Sequence, residues 1–140
     1  MASLFANLKG VFTPATIQIA MEDESTRTKI RKPHSTDQTE YLLYGSKDPV
    51  KGTITITPLP NKKFEYSSVT CEFAGIIEVF GEKTQSNNFI TVTKELDQEG
   101  IITAPKTFNF DFSAIKKEYE TYYGVNVNLR FAHATLFLFL

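Results

Sequence analysis

The sequence predicts an all-β fold, an antiparallel β-sandwich, on three observations. Apolar residues recur with a period of two in most segments that hold them, which places alternate side chains on one face of a strand. Turn formers separate those segments at hairpin-length intervals, and strands joined this way pair antiparallel. The 140 residues include 12 Phe and 6 Tyr but no Trp, large rings that favour strands and anchor a core between two sheets.

The elements follow in order. Ile17, Ile19 and Met21 alternate with Gln18 and Ala20 in the first strand. A polar loop over residues 22–39 comes next, then a short strand over 40–44. Residues 45–49 form a turn, where Pro49 fixes φ and biases Asp48 to extended geometry. Over residues 50–57, Ile54 and Ile56 share one face and Thr53, Thr55 and Thr57 the other. Pro58 and Pro60 end that strand, because neither donates to a ladder. The run 64–80 is too long for one simple strand. Val69, Cys71 and Phe73, then Ile77 and Val79, share a phase, and Gly75 between them predicts a bend or bulge. A polar turn (81–88), a strand (88–96) and a second turn (98–100) follow. Phe108, Phe110 and Phe112 alternate strictly with polar residues, the clearest half-buried strand in the chain. Val125, Val127, Leu129 and Phe131 alternate with Asn126, Asn128 and Arg130 in the last strand. The helical candidates are Leu4, Leu8 and Phe12 at i, i+4 and i+8, and one turn within residues 113–122. No repeat, low-complexity tract or linker divides the chain, so residues 1–140 are expected to form one domain.

Composition removes several function classes. A net charge of −1 gives no basic surface to displace counterions from phosphates, which argues against nucleic acid. The basic cluster Lys29, Arg31 and Lys32, with Arg27 just before it, reads as a solvated loop or as a contact for anionic lipid or an acidic partner. Cys71 is the single cysteine, so no internal disulfide forms, and its place among alternating strand residues predicts a buried, inert thiol. The start lacks a charged leader and the apolar residues 134–140 are far short of the ~20 that span a bilayer, so a soluble cytoplasmic protein is expected. Leu136 to Leu140 is apolar at every position, which predicts burial, pairing with a partner, or an exposed liability. The apolar set Leu4, Phe5, Leu8, Val11 and Phe12 packs over the sandwich end or docks on a membrane or partner.

No chemistry-bearing motif emerges. His34 and His133 show no metal-ligand spacing, and no cofactor is expected. The nucleophile elbow, the phosphate-binding loop and the dinucleotide fingerprint are all absent from the letters. Glu22, Asp23 and Glu24 are too short a supply of oxygens for a calcium site by themselves and read as a polar turn. The chain is therefore expected not to be an enzyme. A sandwich of this kind binds proteins, by offering an edge strand to an extended peptide or by presenting a loop or sheet face.

Four segments carry a resemblance to a known family. They are Phe12-Thr-Pro14 leading to Ile17-Gln-Ile19 and Glu24-Ser-Thr-Arg27; Tyr41-Leu-Leu-Tyr44 with Val50-Lys-Gly52; Glu72-Phe-Ala-Gly75-Ile-Ile-Glu78-Val-Phe80 continuing through Phe89 to Lys94-Glu-Leu96; and Phe108-Asn-Phe110-Asp-Phe112 with residues 119–130. In this order and at these separations they resemble the vacuolar protein sorting-associated protein 26 family, the arrestin-like subunit of retromer. The fold implied is an immunoglobulin-like sandwich, an arrestin-like amino-terminal lobe. Its signature residues in this chain are Gly75, Tyr119, Glu120, Tyr122 and Gly124. Gly75 is expected to let a long strand bend between two sheets, Gly124 to permit a tight turn, and Tyr119 and Tyr122 to bury their rings with hydroxyls at the rim.

The resemblance implies a non-catalytic scaffold for endosomal cargo retrieval toward the Golgi or plasma membrane. The partners implied are retromer's α-solenoid subunit, sorting nexins and the cytoplasmic tails of cargo, on the surface of the endosome membrane. After Phe131 the sequence diverges from the family, so residues 1–140 are expected to be a single lobe without the family's second, and the resemblance assigns no partner-binding residue. An arrestin-like adaptor for cargo or receptor tails outside retromer is the alternative. A calcium-dependent lipid-binding sandwich stands behind it, and an enzyme comes last.

Overall fold

A computed structural model of the chain describes residues 15–32, 36 and 38–139, and for 132–139 the backbone alone. The described residues form eleven strands in four antiparallel sheets and no helix. The expected antiparallel sandwich is the fold observed.

One layer is the three-stranded sheet β1-β4-β9. Its centre is β4 (Lys51–Pro58), where Ile54 and Ile56 are completely buried and the threonines face the other way. Strand β1 (Ala15–Met21) sets Ile17 opposite Ile56 and Ile19 opposite Ile54. On the other side β9 (Lys106–Asp111) sets Phe108 opposite Ile54 and Phe110 opposite Gly52. Directly opposed residues share a face, so these six side chains make one apolar surface. The outer face is polar, with Thr55 and Thr107 hydroxyls 2.9 Å apart.

The second layer is the four-stranded sheet β10-β11-β6-β7. Strand β6 (Ser68–Val79) buries Val69, Cys71 and Phe73, flanked by β7 (Gln85–Asp97) and β11 (Val127–Phe139), with the short β10 (Tyr122–Tyr123) beyond β11. Rings join the layers: Phe73 lies 5.8 Å from Phe112 of the facing layer and stacks on Phe131 of its own at 5.6 Å. Each such buried phenylalanine is worth about 1.5–3 kcal/mol of apolar burial, so this aromatic seam carries much of the layer-to-layer adhesion. Cys71 is fully buried and burial pushes its thiol up to about 12, as an inert core residue should behave. Residues 132–139 continue β11 along β6, with Leu136 opposite Cys71 and Leu138 opposite Val69, after a register shift between His133 and Thr135. The apolar tail thus pairs within its own chain.

Several expectations need correcting. The polar loop contains a strand, β2 (Lys29–Arg31), which pairs with β3 (Glu40–Leu42) as a separate ribbon. Its exposure on every residue removed the apolar signal a strand ordinarily shows. The run 64–80 splits at Ser67: β5 (Phe64–Tyr66) pairs with β8 (Gly100–Ile102), an unexpected strand that begins at the last residue of the expected 98–100 turn. Strand β6 stays in one sheet throughout, so Gly75 does not carry it from one layer to another. The irregularity there belongs to β7, where Gly75 opposes Ile90, Ile76 opposes Asn88, and Phe89 is the extra residue. Residues 85–88 belong to β7 and not to a turn, and residues 113–121 are turn and coil without a helix. Asn128, expected on the polar face, is 7% exposed, whereas Val125 is 94% exposed and Val127 37%. The amino-terminal helical candidate at Leu4, Leu8 and Phe12, with Phe5, Val11 and His34, lies outside the described residues.

Candidate protein-docking surfaces

Glycine and ring placement build the first surface. A Cβ on Gly75 would sit 2.6 Å from Phe89 Cε2 and 2.7 Å from Ile90 Cγ2, so the missing side chain is what lets the extra residue of β7 fold its ring inward. Phe89 then meets Phe131 edge-on at 5.5 Å and Tyr119 edge-on at 5.4 Å. Gly75 and Tyr119, far apart in sequence, are brought together through this one ring. Phe89 and Tyr119 border a groove of about 610 Å³ between β7 and residues 112–119, walled also by Ile90, Val92, Phe112 and Ile115. Lys94 stands at the groove; its ammonium donates to the Asp111 carbonyl and lies 5.5 Å from the Phe112 ring centroid. Lys116 and Glu118 neutralise each other at the rim, 3.1 Å apart.

Two further signature residues, Tyr122 and Gly124, form a second pair. Tyr122 lies over Gly124, where a Cβ would fall 2.7 Å from the tyrosine Cε1, and the Gly124 amide donates to the Val127 carbonyl at 2.8 Å to close the turn into β11. Both tyrosines contradict the expectation of buried rings: Tyr119 is 55% exposed and Tyr122 61%. Each lies against its neighbour, Phe89 or Gly124, from the solvent side. Glu120 is exposed.

A third feature lies at the end of the sandwich where β1 and β4 meet the long 22–50 excursion. The chain turns tightly after β1, with the Arg27 amide donating to the Asp23 carbonyl at 3.0 Å. This draws Arg27 away from the basic cluster and leaves its side chain 12% exposed. The guanidinium donates from Nε to Asp23 Oδ2 at 2.9 Å, pairs through Nη2 with the same carboxylate, reaches Asp48 Oδ2 and the Leu43 carbonyl, and stacks 3.9 Å from the Tyr44 ring centroid. Arg27 holds the Asp23 carboxyl below its ordinary range, chiefly through this hydrogen bond. Burial pushes the Tyr44 hydroxyl up to about 12. Lys117 donates to the Asp48 carbonyl at 2.6 Å and adds a third loop to the node. The Glu22 to Glu24 stretch is indeed a turn, with Asp23 committed to an arginine. Sequence reading placed Arg27 with its basic neighbours; Asp23 four residues before it was the available signal.

The ribbon β2–β3 keeps Lys29, Ile30 and Arg31 exposed, with Arg31 3.6 Å from Glu40 and Lys32 over the Tyr123 ring at 4.7 Å. Among the described residues, no group of three or more His, Cys, Asp or Glu is placed to hold a metal ion, and no helix is long and apolar enough to cross a membrane. His133 lies on β11 opposite Phe73.

Comparison with known proteins places the chain in a family. Residues 11–136 match the family model for vacuolar protein sorting-associated protein 26. The chain is 37% identical to vacuolar protein sorting-associated protein 26 of Caenorhabditis elegans over 134 residues, covering 94% of this chain and 36% of that one. It is 36% identical to protein 26B of Arabidopsis thaliana over 126 residues, covering 89% of this chain and 42% of that one. The Dictyostelium discoideum relative is 33% identical over 131 residues, with 92% and 37% covered. The chain thus spans about two-fifths of the length of the curated relatives it matches. It belongs to the vacuolar protein sorting-associated protein 26 family.

Proposed function

We propose that this chain is the arrestin-like amino-terminal lobe of a non-catalytic, retromer-type sorting subunit that scaffolds endosomal cargo retrieval by protein–protein binding. The observation that carries this reading is the family match over residues 11–136, which takes in both layers of the sandwich. The relatives are named for vacuolar protein sorting, so a role in intracellular sorting comes to this chain by descent. The site chemistry is compatible: the charged side chains at the Arg27 node are committed to one another, and the groove beside β7 is walled by rings and aliphatic groups. Such a lobe has no turnover; its output is assembly. The partners proposed are retromer's α-solenoid subunit, sorting nexins and the cytoplasmic tails of cargo, with the protein in the cytoplasm and peripheral on the endosome. The described sandwich is one of the two lobes that the family resemblance implies. The adaptor reading outside retromer draws no support from the relatives.

The test is affinity purification of the tagged chain from its own cells, followed by mass spectrometry. Recovery of the solenoid subunit is the expected result, from this lobe alone or after it is joined to the second lobe of a relative. A folded sample that retains neither solenoid nor sorting nexin in either form overturns the proposal.

A further inference from the structure

Strand β7 is the edge of the four-stranded sheet and pairs with β6 on one side only among the described residues. Its other side faces the groove, and the segment across it, residues 113–121, adds no strand to the sheet. The backbone groups of a strand edge are a template for another extended chain. Two features bracket the usable edge. The Phe89 bulge interrupts the ladder at one end, and Lys94 reaches across to Asp111 at the other. What lies between, Ile90 to Thr93, is too short for sheet-on-sheet growth and matches a short peptide.

The walls select the side chains. Phe89, Ile90 and Val92 on one side and Ile115 and Tyr119 on the other offer an apolar slot, and about 610 Å³ is within the range that ligand pockets occupy. Charge selects further. Lys94 holds a carbonyl and a ring and forms no ion pair with a described carboxylate. Asp111 turns its carboxylate to Ser113 and Lys51 and also feels the Lys94 charge, so two ammoniums share one carboxylate. Since Lys116 and Glu118 cancel, the described groups Lys94, Lys51 and Asp111 leave one positive charge in excess beside the groove. A carboxylate beside the apolar anchor is the complementary group.

We propose that the groove takes a short extended segment of a partner protein, added as a strand to β7, with an apolar side chain between Phe89 and Ile115 and a carboxylate at Lys94. The proposal rests on reading the chain as a protein-binding lobe, and adds the place and the chemistry of one contact. A second copy pairing through β7 is disfavoured because the bulge and Lys94 shorten the edge on both copies. A lipid surface is disfavoured because the site is concave and its described groups leave only one positive charge in excess.

The experiment is an NMR titration of the ¹⁵N-labelled chain with the acetylated, amidated peptide Glu-Ile-Asp-Val-Glu-Leu-Asp, and with a counterpart carrying Lys at each acidic position. Saturable shifts confined to residues 89–94 and 112–119 are expected, with the acidic peptide about three- to fivefold tighter. Lys94→Gln, checked for an unchanged Tm, should abolish that preference and leave the apolar component of binding. No shifts, shifts centred on β1 or the β2–β3 ribbon, equal response to both peptides, or dimerisation through β7 would each overturn the proposal. The titration contains no retromer component, so it fails or succeeds independently of the affinity purification.

Discussion

At one end of β4, Arg27 is enclosed by Asp23, Asp48 and the ring of Tyr44, with its side chain 12% exposed. At the other end Lys106 lies 2.9 Å from Asp97 and 3.3 Å from the Tyr66 hydroxyl, itself 2.7 Å from the same carboxylate, and the lysine is about half exposed. Both nodes unite a tyrosine, an acid and a base from separate strands or loops. They differ in what is buried. In the first the cation is enclosed and the tyrosine serves as its platform. In the second Tyr66 is the buried member, its ring set against Phe64 and Phe108, and the ion pair caps it from solvent. A planar guanidinium suits the first role because it presents forked donors to two carboxylates while stacking on a ring. A lysine suffices for the second, where a single point charge is held at the surface. The comparison teaches that an ion pair's worth follows from which partner is desolvated, not from its length.

The largest effect should come from Arg27. Arg27→Met leaves Asp23 and Asp48 without their shared cation and is expected to cost about 2–3 kcal/mol, measured by urea denaturation. A loss no greater than that of Lys106→Met would break the distinction between the nodes. Next is Tyr66→Phe, which keeps the ring in the core and removes one hydroxyl bond to Asp97; about 1 kcal/mol is expected in the same assay.

Acid should then erase the difference. Asp23 is held low by Arg27, Asp48 first by the Gly45 amide and then by Arg27, and Asp97 first by Tyr66 and then by Lys106. Each folded value lies below the unfolded carboxylate value of about 4, so the stabilisation is complete above that pH and is lost as pH falls through the folded values. The penalty of Arg27→Met, followed by thermal melts from pH 7 down to about 2.5, should shrink toward zero. A penalty constant with pH would mean that packing of the arginine, rather than its charge, holds the loops. The smallest effect is expected from Lys63→Ala, which breaks an exposed pair with Glu65; a Tm loss as large as that of Tyr66→Phe would show that exposure is a poor guide here.

The legible parts of the fold were those in which one face is buried and the other wet. Phe108, Phe110 and Phe112 alternate because β9 lies on the core with its back to solvent, and Ile54 and Ile56 do so for the same reason. Strands β2 and β8 show no periodicity because each is three residues long, β2 exposed throughout and β8 burying Ile102 alone, so pairing defines them. Gly75 was read correctly as the mark of an irregularity, but the extra residue belongs to the neighbouring strand, which no local pattern shows. Of the groove, the sequence marks Tyr119 as a fold signature and Lys94 as part of a family segment. Their meeting was not legible, because it depends on Phe89 turning inward over a glycine from another strand.

By itself the sequence determined the fold class, the family, the phase of the long central strands and the inert Cys71, because each depends on local periodicity or on wording contiguous along the chain. Only the tertiary structure decided that Arg27 turns from its basic neighbours to Asp23 and Asp48, that the tail completes β11, and that β7 is left as an edge above a groove. Those outcomes depend on register and on which side chain is desolvated beside which, and both are set by contacts between residues distant in the chain.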